Sequence, residues 1–392
     1  KMKKQLLYSL FFFTSLSFFS QIKDTSSNLI FGYINTLIND TSDASTANFT
    51  TYPVIASSPE TSWQFALSSL YVYSAKRNLS NRLSELKSYT FYTLKKQYGI
   101  NVDHALYTDA NKWLFYGKVK VQAAPLDFYG SDFAECNLTT KDNKFTPDLN
   151  IINFKERALR TIAPDLYVGL EFDLQIMNNF DSAINVRVRP NESPISNTKS
   201  NSVGFGAGII YNNIHNFLNP RKGVFSEFAF LRYSNALKSD YNLTSIITDN
   251  RFYLPVKENN ILAFQFYAQY TIGPNPPFNL ISLMGGESLM RGYYLGRYRD
   301  RHLLATQVEY RILPFTFSKR WGASVFLAMG QVFGENISED NSKNGFQFKN
   351  ILPTGGAGLR FLLFQEKDIY FRVDYGITKN GGNYYLTLGE AF

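Results

Sequence analysis

The chain has 392 residues, 16% of them aromatic, a formal net charge of +8 and a single cysteine, Cys136. One cysteine excludes an internal disulfide. The basic excess falls to +5 without Lys1, Lys3 and Lys4 and contains no basic tract, so no nucleic-acid partner is expected.

Residues 1–20, KMKKQLLYSLFFFTSLSFFS, place lysines ahead of an apolar run from Leu6 to Phe19 and end on a small residue, which reads as a secretory signal. No cysteine lies near that site, so no lipid anchor is expected there. Beyond it no run approaches the roughly 18 apolar residues of a helical membrane span. In residues 21–48, Leu29, Ile30, Tyr33, Ile34, Leu37 and Ile38 recur at helical spacing. Two readings fit them about equally: a short amphipathic helix at a membrane interface or in a lumen, and a disordered leader. A folded periplasmic domain does not fit between the signal and residue 49.

From residue 49 onward the period changes to two. In 260–273, Leu262, Phe264, Phe266, Ala268, Tyr270 and Ile272 alternate with a row that holds Gln265, Gln269 and Thr271. In 166–177 the apolar row from Leu166 to Ile176 alternates with one containing Glu171, Asp173 and Gln175. In 369–378, Ile369, Phe371, Val373, Tyr375 and Ile377 alternate with Arg372 and Asp374. One greasy face and one charged face over about ten residues is the pattern of a strand with lipid on one side and a wet lumen on the other. A soluble sandwich also alternates, but its strands usually run to about 5–6 residues.

Sixteen strands are expected, near 49–57, 62–73, 86–96, 98–108, 113–123, 150–161, 166–178, 202–213, 223–234, 240–254, 260–273, 302–314, 320–333, 354–364, 369–378 and 383–392. An all-β, antiparallel transmembrane barrel over 49–392 follows, since an even strand count lets the two ends meet antiparallel. The long gaps 124–149, 179–201, 274–301 and 334–353 all follow odd-numbered strands, so they share one end, expected outside the cell. The sixth segment, IINFKERALRTI, alternates poorly. The last, NYYLTLGEAF, is expected to keep Tyr384, Leu386, Leu388 and Phe392 on one face.

The stretch LMGGESLMRGYYLGRYRDRHLLATQVEYR, 283–311, joins glycines, tyrosines and arginines to a strand bearing Glu309 and Arg311. It resembles the barrel of the BamA/TamA superfamily of outer-membrane assembly and translocation proteins, the bacterial surface antigen family. That family carries an Arg-Gly-aromatic tip on its sixth outer loop, folded back into the barrel; here it corresponds to Arg291, Gly292 and Tyr293. YPVIASSPETSWQFALSSLYVY resembles the opening hairpin, NNIHNFLNPRKGVF a mid-barrel turn and YYLTLGEAF the closing strand, so the likeness covers the chain from about residue 49.

The resemblance implies a carboxylate partner for Arg291. Glu309, on the lumen row with Gln307 and Arg311, is the residue expected to supply it. Gly285, Gly286 and Gly292 allow the tight reversal. Arg297, Arg299 and Asp300 are either lumen pairs or a solvated rim, with pairing preferred, and Arg311, fixed on its strand, has lumen water as an alternative to pairing. The chain departs from the family pattern at Ala328, Asn212, Ile214 and His215, where charged residues are usual. It also resembles a barrel-only branch without POTRA domains.

Pro53 cannot donate to a strand ladder and Gly389 permits a kink, so both would weaken a first/last-strand seam or merely shape the closure. Insertion or translocation of outer-membrane components through that seam is the function the resemblance implies. Its partners would be outer-membrane lipid and an assembly complex or accessory periplasmic proteins. The alternative is a plugged pore whose Lys118, Lys120 and Arg372 favour anions. His104, His215 and His302 lack a Ser or carboxylate at diagnostic spacing, so no enzyme, catalytic residue, cofactor or metal cluster is expected.

Overall fold

A computed structural model describes residues 48–392 apart from 79–80, 124, 131–132, 139–143, 145, 147, 180–198, 215, 217, 275, 335–344 and 366–367. The expected signal and the 21–47 segment lie outside the described residues, as do His215, most of the second long gap and half of the fourth.

The strands run β1 Asn48–Ser58, β2 Ser62–Ser74, β3 Leu83–Thr93, β4 Tyr98–Tyr107, β5 Trp113–Ala123, β6 Leu149–Ala163, β7 Leu166–Asn179, β8 Lys199–Asn212 and β9 Gly223–Tyr233. They continue as β10 Leu243–Lys257, β11 Asn260–Ile272, β12 Ser282–Met284, β13 Tyr298–Asp300, β14 His302–Ile312, β15 Trp321–Phe333, β16 Leu352–Phe364, β17 Ile369–Thr378 and β18 Gly381–Leu388. A short helix, α1 (Phe133–Leu138), lies between β5 and β6. Sixteen of the strands form one closed antiparallel barrel, with each bonded to its chain neighbour and β18 returning to β1. Only β12 and β13 stand apart, as a two-stranded sheet within the connection from β11 to β14.

Alternation decides which side chains line the wall. Leu67, Leu170, Val325, Leu327 and Met329 are exposed on the outside, whereas Glu171, Asp173, Gln307, Glu309, Arg311, Arg372 and Asp374 are buried on the inner face. The weakly patterned β6 is nevertheless paired along its length with β5 and β7. Its outer row is interrupted by Glu156, which meets His104 of β4 at 3.0 Å. Gly117, in register between them, leaves room for that contact, since a Cβ there would lie 2.8 Å from His104 Cε1.

Element bounds differ from expectation most at β3, at β10 (243–257 rather than 240–254) and at β18. β3 spans 83–93 rather than 86–96, which shortens the connection from β2. β18 stops at Leu388 because Gly389 turns the chain at φ +80°. Phe392 therefore does not continue the outer face. It is buried, with its ring 6.4 Å from Tyr253 and 5.0 Å from the Arg311 guanidinium.

Two apolar clusters lie at opposite ends of the wall. At the end with the short turns, Tyr107, Leu114, Tyr167, Phe225, Tyr253 and Tyr370 pack with Ala391 and Phe392. The β8–β9 turn is tied across this end: Arg221 grips Asp368 with two nitrogens, at 2.5 and 2.8 Å, and donates to the Leu313 carbonyl at 2.8 Å. The Leu218 carbonyl accepts from Glu390 N–H at 2.8 Å. At the other end, Met284, Met290, Tyr293 and Tyr298 of the β11–β14 connection pack with Tyr129 and Cys136.

Candidate functional site

The β11–β14 connection, residues 273–301, meets the barrel wall through its tip at Arg291–Tyr293. Three glycines make the path of this segment possible, with φ of +116° at Gly285, +102° at Gly286 and +108° at Gly292, values that side chains with a Cβ rarely adopt. At Gly292 a Cβ would also lie 2.8 Å from Thr378 Cγ2. On the wall, Gly376 of β17 provides the matching gap, because a Cβ there would meet the Arg291 carbonyl carbon at 2.6 Å.

Arg291 is completely buried. It makes an ion pair with Glu309 of β14 and a second with Asp374 of β17, the latter at 2.6 Å, and its guanidinium carbon lies 3.6 Å from the centre of the Phe326 ring. Arg360 of β16 reaches three carboxylates: Glu309 at 3.0 Å, Asp374 at 2.5 Å and Glu390 at 2.9 Å. Arg311 joins Glu309 at 3.1 Å and donates to the Phe392 carbonyl at 3.0 Å. Arg372 holds Asp374 at 2.6 Å and the Glu287 carbonyl at 3.1 Å. Four guanidiniums thus share three carboxylates, and each carboxylate is held by two or more of them. Such mutual pairing is what allows charges to be buried, since an unpaired one is very costly.

The tip is also held by uncharged groups. Tyr385 of β18 accepts from Gly292 N–H and donates to the Tyr293 carbonyl, both at 3.0 Å, and Asn383 of β18 donates to the Gly292 carbonyl at 2.5 Å. Tyr293 donates to the Pro353 carbonyl at 3.1 Å, and Thr354 donates to the Arg291 carbonyl. Farther along, Leu295 N–H donates to Glu60, in the β1–β2 turn, at 2.6 Å. Burial pushes the Glu60 carboxyl above its ordinary value, opposed by this hydrogen bond and one from Ser58.

The expected partners Arg291 and Glu309 are thus in contact. Arg311 does not turn to lumen water; its whole side chain is buried in the same network. Arg372 is likewise committed to Asp374 rather than free for passing anions. Arg299 has no carboxylate partner among the described residues. It donates to the Gly296 and Asp127 carbonyls at 3.0 and 2.9 Å and stacks on Phe278 at 4.4 Å, and burial lowers its pKa to about 10. Arg297 donates to the Cys136 carbonyl and lies 4.6 Å from the Tyr129 ring, while Asp300 accepts from Arg301 N–H at 2.7 Å.

Arg360, Glu390, Asn383, Tyr385 and Glu60 were not singled out in the sequence. Inward alternation on β16 and β18 would have placed Arg360, Asn383 and Tyr385 in the same row as Asp374. At the seam, β18 is registered to β1 through Ser57 and Leu386, against eleven residue pairs between β1 and β2. Pro53 lies on the outer face of β1 opposite Leu67 of β2, and Gly389 falls just beyond β18, its N–H bonded to the Tyr370 carbonyl at 2.8 Å.

A closed sixteen-stranded barrel with an apolar outside and a buried arginine–carboxylate network defines a class of outer-membrane barrel. The chain belongs to the Omp85 superfamily, whose domain matches residues 73–383. Its fold is similar to that of BamA from Haemophilus ducreyi lacking POTRA domains 1–3, with a TM-score of 0.59 at 11% identity over 88% of this chain and 70% of that one. It is also similar to CdiB from Escherichia coli (TM-score 0.56, 10% identity, 91% of this chain and 69% of that one). For CdiB from Acinetobacter baumannii the TM-score is 0.52 at 10% identity, with 87% of this chain covering 59% of the other. No curated protein matches in sequence.

Proposed function

We propose that this protein resides in the bacterial outer membrane and aids insertion or translocation of outer-membrane components through the β1/β18 seam. The Arg291–Tyr293 tip, folded inside the barrel, serves as a lock on the closed state. The observation that carries this reading is the asymmetry of β18. One edge meets β1 through the Ser57–Leu386 register, while its inner face holds the loop tip through Asn383 and Tyr385. A strand gripped from within and lightly paired at its edge can leave β1 without dismantling the wall. Outer-membrane lipid is the solvent of the apolar outer face, and an assembly complex or accessory periplasmic proteins would present clients.

A steady pore is the competing reading. The apolar cluster at the short-turn end and the loop tip at mid-wall favour a closed resting barrel instead.

The test is a seam crosslink. Ser57→Cys with Leu386→Cys, in a Cys136→Ser background, places two thiols on facing residues. Oxidised protein in liposomes should lose its ability to accelerate insertion of an added unfolded barrel protein, and reduction should restore it. Equal rates before and after reduction would rule out the seam.

A further inference from the structure

We propose that the inner wall formed by β4, β5 and β6 carries a binding site for a phosphate monoester, free or as the headgroup of a lipid, centred on Lys118 and Lys120. This site is separate from the arginine network and does not depend on whether the barrel inserts clients.

Lys118 and Lys120 occupy successive inward positions on β5. In register with them across β4 are Asp103 and Asn101, and across β6 Lys155 and Asn153. The remaining charges of this wall are accounted for. Lys155 pairs with Glu171 at 2.6 Å, and Arg157 pairs with Glu171 at 3.3 Å and with Glu227. Asp173 accepts from Asn153 at 3.0 Å, Gln175 at 2.8 Å and Tyr233 at 2.5 Å. Asp103, the carboxylate in register with Lys118, is exposed and makes no ion pair among the described residues. Neither Lys118 nor Lys120 has an ion-pair partner among the described residues, and Lys155 directly opposite Lys118 adds repulsion. Asn101 Oδ1 is buried and accepts no hydrogen bond.

An anion between the two lysines would relieve both deficits. Inward neighbours on one strand are about 7 Å apart, within reach of two flexible ammonium groups converging on one ligand. Two ammonium groups without an ion pair match a phosphate monoester, which carries about −1.5 to −2 near neutrality, better than a carboxylate with one. Lysine acts as a point charge toward phosphate, whereas planar carboxylate recognition favours the arginine fork. The orphaned Asn101 oxygen needs a donor, which the P–OH of a singly ionised monoester supplies.

The experiment is calorimetric titration of the folded protein in detergent with glycerol phosphate, and separately with dihexanoyl phosphatidic acid. Wild-type protein and an Arg291→Ala variant with a loosened loop are both titrated. Saturable binding is expected, weakened about tenfold or more by Lys118→Gln with Lys120→Gln, the loss expected for charge-assisted hydrogen bonds. Lys112→Gln, in the β4–β5 turn, should leave it unchanged. Tighter binding of phosphatidic acid assigns a lipid headgroup, and the reverse assigns a soluble monoester. Three results would each overturn the proposal: no saturable binding in either protein, undiminished binding by the double lysine variant while it remains heat-modifiable, or acetate binding as tightly as phosphate.

Discussion

Glu309 touches three guanidiniums, those of Arg291, Arg311 and Arg360, whereas Arg291 touches two carboxylates. This inequality predicts how the network fails. Arg291→Ala leaves Glu309 with two arginines and Asp374 with Arg360 and Arg372, so every remaining carboxylate is still paired. Glu309→Gln leaves four buried guanidiniums sharing Asp374 and Glu390. Breaking a buried pair typically costs about 3–5 kcal/mol, mostly from the charge left behind. Glu309→Gln is therefore expected at the upper end of that range or beyond, and Arg291→Ala at the lower end. The double variant should be less damaged than the sum of the two, because removing Arg291 lessens the excess positive charge. Thermal midpoints in detergent and protease sensitivity of 283–300 are the measurements; equal losses that simply add would contradict a shared network. Arg291 and Glu309 were legible in the sequence, one from the loop tip and the other from strict alternation in QVEYR. Arg360 was passed over, although alternation on β16 puts it in the inward row, because GLRFLLF surrounds it with apolar residues on both rows. Glu390 was hidden for a different reason: Gly389 reverses the backbone, so period two no longer reports which way the side chain points.

The β1–β2 hairpin, the loop and β18 are linked at element scale by one carboxyl group. Glu60, in the hairpin turn, accepts from Leu295 N–H at 2.6 Å, three residues beyond Gly292, which β18 holds through Asn383 and Tyr385. Loop and seam therefore share a contact on the β1 side as well as on the β18 side. Burial raises the Glu60 pKa above 4.5, so the folded state holds its proton more tightly than the unfolded state. Its contribution to stability is complete below 4.5 and is lost as pH rises through the higher folded value. Glu60→Gln keeps an oxygen acceptor for Leu295 and never ionises. The variant should match wild type near about pH 4 and exceed it in loop protease resistance near about pH 8. A variant less resistant than wild type at the higher pH would mean that the charged carboxylate strengthens the contact. The strands themselves were largely legible because alternation persists over ten or more residues. Residues 273–301 were legible only as a sequence resemblance, since the β12–β13 pairing rests on tertiary contacts rather than on any local period.

Across the whole molecule, the proposed resting state has two closures in series along the barrel axis. One is the loop tip with its arginine network and the apolar cluster around Met284, Met290 and Tyr298. The other is the cluster at the short-turn end, braced by Arg221 on Asp368 and by Leu218 on Glu390. For barriers in series, the least permeable one sets the current. Arg291→Ala should therefore raise single-channel conductance only slightly, because the apolar cluster still excludes water and ions. Arg221→Ala alone should do little for the converse reason: its side chain braces the floor, but the network above is untouched. The two together should produce a much larger conductance than either predicts. Glu309→Gln combined with Arg221→Ala should do the same, which separates the effect from any peculiarity of one substitution. The measurement is single-channel recording in planar bilayers at several salt concentrations, with heat-modifiability confirming that each variant is folded. A large, steady conductance in Arg291→Ala alone would mean that the short-turn end is no barrier. In that case the loop is the sole plug, and the pore reading gains over the seam.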